Sequence, residues 1–151
     1  MIKQYDLSFL NLENILKILQ STQTREHGLV GDGISSYNYG MPILEYPELI
    51  GLKAIIQKYL KEYHPKPLKI INSWFNTMNV GDELKIHKHE ESIVSGAFYI
   101  NVGKNSVPLI FSTEQVKPKN GLLVLFPSEM EHYTEPEREQ RTVMSFNTEY
   151  L

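Results

Sequence analysis

Apolar residues recur along this chain at two different periods, and the change comes near residue 68. Before it, Leu12, Ile15, Leu16 and Leu19 fall on one stripe with helical spacing. Asn11 stands where an N-cap side chain accepts an orphan amide, so a short amphipathic helix is expected. Leu49, Leu52, Ile56, Tyr59, Leu60 and Tyr63 form a second stripe. Pro47 suits its first turn and His64-Pro65-Lys66-Pro67 stops it, which predicts a longer helix. Between the two, residues 28–40 carry four glycines with Tyr37 and Tyr39, the composition of a loop or loose hairpin that could serve as a lid.

After residue 68 the pattern turns to short runs of β-branched and aromatic residues separated by Gly, Pro and Asn. Strands are predicted over 68–78, 83–87, 93–102, 109–112, 121–126, 132–134 and 141–147. Short strands at this spacing suggest a sandwich or jelly roll, with the two helices covering one face of a sheet. The expected fold class is mainly β with flanking helices. At 151 residues the chain suits one domain, 1–151, with a helical part over 1–67 packing on the sheet of a 68–151 core.

Composition then narrows the chemistry. There is no cysteine, which removes disulfides, thiolate metal sites and thiol nucleophiles together, and which fits a reducing cytoplasm. The net charge is −3 and the lysines are scattered, which argues against nucleic acid as a partner. The start of the chain holds no apolar stretch long enough for a signal peptide or a membrane span, so a soluble protein is expected.

What remains is imidazole, carboxylate and guanidinium chemistry, and it gathers in the second half. On a strand, His87 and His89 would share a face, and His132 from a distant strand could close a third corner of a metal polyhedron with open positions. A His-x-His pair is more commonly a surface feature, but histidines at strand ends lie where barrel and jelly-roll proteins bind ligands. Arg141 begins a run in which Arg141, Val143, Ser145 and Asn147 alternate with Thr142, Met144 and Phe146. An inward guanidinium needs a partner, either a protein carboxylate or the carboxylate of a ligand, and nothing local supplies an obvious inward acid. If residues 93–100 continue the histidine segment in register, Ser95, Ala97 and Tyr99 share its face. Small residues there would leave room for a ligand, and Tyr99 could donate its hydroxyl. Of the residues alternating on the first strand, Asn76 is a candidate for the pocket and Trp74 reads as core.

Taken together, Trp74-Phe75-Asn76, Gly81, His87-Lys88-His89, Ser95-Gly96-Ala97-Phe98-Tyr99, Gly121, Phe126-Pro127-Ser128, His132 and the run from Arg141 to Asn147 resemble the 2-oxoglutarate- and Fe(II)-dependent oxygenases of marine bacteria and their phages. The resemblance covers roughly residues 70–150, and more distantly the motif order looks like that of the prolyl hydroxylases. It implies a double-stranded β-helix, or jelly-roll, core of the cupin-like kind. It also implies Fe(II) on His87, His89 and His132, and 2-oxoglutarate with its far carboxylate on Arg141. Tyr99, Asn76 and Ser145 would line the co-substrate site, dioxygen would be consumed, and the activity would be that of a hydroxylase. One departure stands out: the superfamily usually places Asp or Glu at position 89, and Glu90 or Glu91 is an alternative acid. Two other readings compete with this one, a cupin-like three-histidine metalloenzyme without 2-oxoglutarate and a non-catalytic jelly-roll binding or structural module. A peptide side chain, a small metabolite and a nucleobase are all compatible substrates, and a homodimer is a compatible assembly.

Overall fold

The computed structural model describes residues 1–22, 25–26, 33–37 and 41–151. In chain order the elements are β1 (Lys3–Asp6), α1 (Leu12–Gln20), β2 (Arg25–Glu26), β3 (Ile34–Ser35), α2 (Ile50–Tyr63), β4 (Leu68–Met78), β5 (Val94–Asn101), β6 (Leu109–Phe111), β7 (Gln115–Val116), β8 (Leu122–Pro127), β9 (His132–Tyr133) and β10 (Arg141–Tyr150). Asn11 caps α1 by accepting from the Asn14 amide, as expected. Pro47 opens a 3₁₀ turn, Pro47–Leu49, that leads directly into α2. Residues 28–32 and 38–40 of the expected lid loop lie outside the described residues. Ile34–Ser35 within it pairs antiparallel with Arg25–Glu26 and with β4.

Seven strands form the main sheet in the order β1-β8-β5-β10-β4-β3-β2, and a smaller sheet runs β7-β6-β9. Three strands of the main sheet come from the first 67 residues, so that part is not purely helical as expected. The period-2 alternation then builds two cores, one on each face. Val94, Phe98 and Ile100 of β5, Leu123 and Leu125 of β8, and Met144 and Phe146 of β10 pack with α1 and α2. The intervening Ala97, Tyr99, Leu122, Val124, Phe126 and Val143 meet Leu109, Phe111 and Val116 of the small sheet. This is the layering of a jelly roll, and the functional face is the one between the sheets.

Two details aim side chains at that face. In β4 the register passes from Asn147↔Asn72 to Thr148↔Ile70, so Ile71 is an extra residue. The bulge reverses parity: Leu68 and Ile70 join the helical core before it, and Phe75 does so after it. Trp74, Asn76 and Met78 are thereby turned inward between the sheets. At Gly96 any Cβ would enter the space held by the ring of Phe146, its cross-strand partner. The small residue at 96 therefore admits a neighbouring side chain, while Ala97 is the one that leaves the cavity open.

Candidate metal centre

His87 and His89 do not lie on a strand. Residues 83–87, expected to be one, make only a single bridge, His87 with His132. The reason is a mismatch in count. Thr134 takes both backbone groups of Leu84, donating its amide to the Leu84 carbonyl and accepting the Leu84 amide on its hydroxyl. Three positions further on, His87 and His132 exchange both their backbone bonds, so three steps face two and no ladder propagates. His89 is then fixed separately, its amide donating to the Ser128 carbonyl at 2.9 Å. The shared face that strand alternation predicts is thus reached by three individual backbone anchors.

The outcome is a tight cluster. One ligand nitrogen from each of His87, His89 and His132 lies within 4.8 Å of the other two, and among the described residues this is the group able to hold a metal ion. Nδ1 of His87 faces the Lys85 carbonyl at 2.7 Å, and Nδ1 of His132 faces that of Met130 at 2.9 Å. A carbonyl only accepts, so each Nδ1 carries the proton and each Nε2 presents a lone pair. Burial pushes all three imidazoles toward the neutral form. His87 is lowered, His89 falls to about 4 through burial and the neighbouring His87, and His132 falls to about 3 for the same two reasons with His89 adding to it. Neutral imidazoles are what a metal requires. Glu90 and Glu91 are exposed, with Glu90 on Lys88 at 3.3 Å, and neither joins the cluster.

The three rings line a cavity of about 210 Å³ between the sheets, together with Asn76, Tyr99, Arg141 and Ser145. Every residue expected on the site is therefore brought to one space. Trp74, expected in the core, joins neither apolar cluster and instead forms a wall of this cavity, edge-on to Tyr37 at 4.7 Å. Burial raises the Tyr99 hydroxyl, so it stays a proton donor, with the Arg141 cation 5.6 Å from the ring pulling the other way.

Arg141 corrects the expectation most sharply. An inward acid does exist: Glu137, buried, with Oε2 at 3.4 Å from Nη1 of Arg141. It was missed because it sits in the loop before β10, where alternation says nothing about side-chain direction. The pair leaves Nε of Arg141 without a partner, and Oδ1 of Asn76 is likewise buried and unpartnered. Three neutral imidazoles at one end of a cavity and a guanidinium with donors to spare in its wall fit a divalent first-row metal and a carboxylate ligand.

Residues 72–115 match the model of a family described as "Putative 2OG-Fe(II) oxygenase". No curated protein sequence matches the chain. Among solved structures the fold is similar to the viral collagen prolyl hydroxylase of Paramecium bursaria Chlorella virus-1 in its 2-oxoglutarate complex. The TM-score is 0.73 at 13% identity, over 99% of this chain and 96% of that one. It is also similar to a Pseudomonas putida prolyl-4-hydroxylase, with TM-score 0.70, 14% identity, and 99% and 92% of the two chains covered. HygX from Streptomyces hygroscopicus, solved with nickel, 2-oxoglutarate and hygromycin B, gives 0.73 at 10% identity over 97% and 82%. At such identities the likeness establishes the jelly-roll fold.

Proposed function

We propose that this chain, an enzyme of the 2-oxoglutarate- and Fe(II)-dependent dioxygenase class whose cofactors are Fe(II), 2-oxoglutarate and dioxygen, is a hydroxylase with its iron on His87, His89 and His132. The observation that carries this reading is the pairing of the histidine cluster with Arg141 in the wall of the same cavity. Bound iron supplies the activation of dioxygen. Overall, 2-oxoglutarate and dioxygen give succinate and carbon dioxide while a substrate C–H becomes C–OH. The chain's own residues orient and exclude. Arg141 receives the far carboxylate of 2-oxoglutarate, Tyr99 and Asn76 offer polar contacts beside it, and Ser145 completes the wall. Trp74 and Tyr37 bound the space left for the substrate, a peptide side chain or a small molecule. The Cys-free composition suits the cytoplasm.

Titration of the protein with Fe(II) and then 2-oxoglutarate without oxygen tests the reading before any substrate is known. A weak visible charge-transfer band is expected on chelation. His87→Ala and His132→Ala should each abolish stoichiometric iron uptake, and variants that hold iron as tightly as the parent would remove these residues from the ligand set. Arg141→Ala should weaken 2-oxoglutarate at least about tenfold with iron retained, the scale of a lost charge-assisted pair. Unchanged affinity would instead favour the cupin-like enzyme, with Arg141 holding a substrate carboxylate.

A further inference from the structure

We infer that Glu137 is a positioning residue for the co-substrate subsite: its carboxylate sets the plane of the Arg141 guanidinium and so leaves a free donor edge for a ligand carboxylate. The inference rests on the 2-oxoglutarate reading of Arg141. Glu137 is itself held rigidly. Its Oε1 accepts from the amides of Val107 at 3.0 Å and Arg138 at 2.9 Å, and its Oε2 accepts from the Ser106 hydroxyl at 2.8 Å. Its backbone is tied at both ends, the carbonyl to the Gly81 amide and the amide to the Asp82 carbonyl. A buried carboxylate with this many fixed donors cannot reorient, so it acts as an anchor.

The way the acid is shared is what separates positioning from simple charge compensation. A pair built only to neutralise a buried arginine would use the bidentate geometry that satisfies most of its donors. Here Oε1 is taken up by backbone amides, and only Oε2 approaches Arg141, at 3.4 Å from one nitrogen. The same nitrogen, Nη1, donates to the Val107 carbonyl at 3.3 Å. One hydrogen bond to a backbone carbonyl and one ion-pair contact, both on the same terminal nitrogen, orient the fork, and Nε remains buried without a partner. A buried donor left unsatisfied is destabilising, because it has given up its hydrogen bond to water without a replacement. Arg141 lines the cavity, so a ligand carboxylate that enters it meets this guanidinium. Ser106 and Val107 belong to the 102–108 loop, so that loop, the Glu137 loop and β10 converge on the direction of one guanidinium.

Glu137→Gln separates the possibilities because Oε1 can persist while an amide nitrogen replaces Oε2, setting a donor against Nη1 of Arg141. In the Fe(II)-loaded protein without oxygen, the Kd for 2-oxoglutarate should rise about tenfold with iron affinity unchanged, as expected for loss of one charged contact. In the Arg141→Ala background the same change should add nothing, since a residue acting only through Arg141 has no separate effect. Ser106→Ala, which keeps the acid, should weaken 2-oxoglutarate about two- to fivefold through the loss of one hydrogen bond to Oε2. An unchanged Kd in both single variants, or a loss additive with Arg141→Ala, overturns the role of Glu137 and leaves the 2-oxoglutarate reading standing. If Arg141→Ala alone leaves 2-oxoglutarate binding intact, that reading fails first.

Discussion

At the scale of single residues, the site is governed by burial and by which atom a backbone carbonyl claims. His89 and His132 take up protons only at about 4 and about 3, whereas the unfolded chain takes them up near 6.5. In the metal-free protein the unfolded state therefore binds more protons between roughly pH 6.5 and 4, and stability falls as the pH falls through that window. Each proton refused by the folded state contributes a slope of about 1.4 kcal/mol per pH unit. Denaturant unfolding of the metal-free protein from pH 7 to pH 5 should show this loss, and His132→Gln should flatten it. A His132→Gln profile as steep as the parent's would contradict the assignment. The residue types at 87, 89, 132 and 141 were legible in the sequence because few other groups in a Cys-free chain can ligate a metal or a carboxylate. Glu137 was not, since a loop side chain obeys no period.

At the scale of elements, the helices and long strands follow their periodicity closely. The stripe read from Leu52, Ile56 and Leu60 is the buried face of α2, and Asn11 caps α1 as its chemistry suggests. The strands the pattern did not predict, β1, β2, β3 and β7, carry two to four residues each, too few for alternation to declare itself. The predicted 83–87 strand failed for the opposite reason: its pattern was plausible, but its partner was one residue too short. Because α2 packs on the face away from the cavity, its interior should report stability alone. Ile56, fully buried in that core, should cost about 2–5 kcal/mol on truncation to Ala. Chemical denaturation checks the loss, and Fe(II) affinity measured below the unfolding transition should stay at the parent value. A matching loss of metal affinity would mean that the two faces of the sheet are mechanically coupled.

For the whole molecule, the centre joins the β9 region to the 81–92 segment, two parts of the chain otherwise linked by a handful of backbone bonds. Metal binding to the folded state alone should raise stability by mass action, about 2.7 kcal/mol at a hundredfold excess over Kd. Calorimetry with Fe(II) or Ni(II) under nitrogen, against the same protein in chelator, should show the higher Tm. His87→Ala should show no such shift. Among the described residues no helix is long and apolar enough to cross a membrane. The amino-acid sequence by itself determined the two helices, the long strands, a sandwich or jelly-roll class and the residue types of the site, because periodicity and the scarcity of ligating groups are local properties. Tertiary structure alone decided that His87 and His89 converge without a strand beneath them, that a bulge at Ile71 turns Trp74 and Asn76 inward, and that Glu137 stands behind Arg141. Each of those depends on how many residues separate two anchors in different parts of the chain, and that count acquires meaning only when the anchors meet.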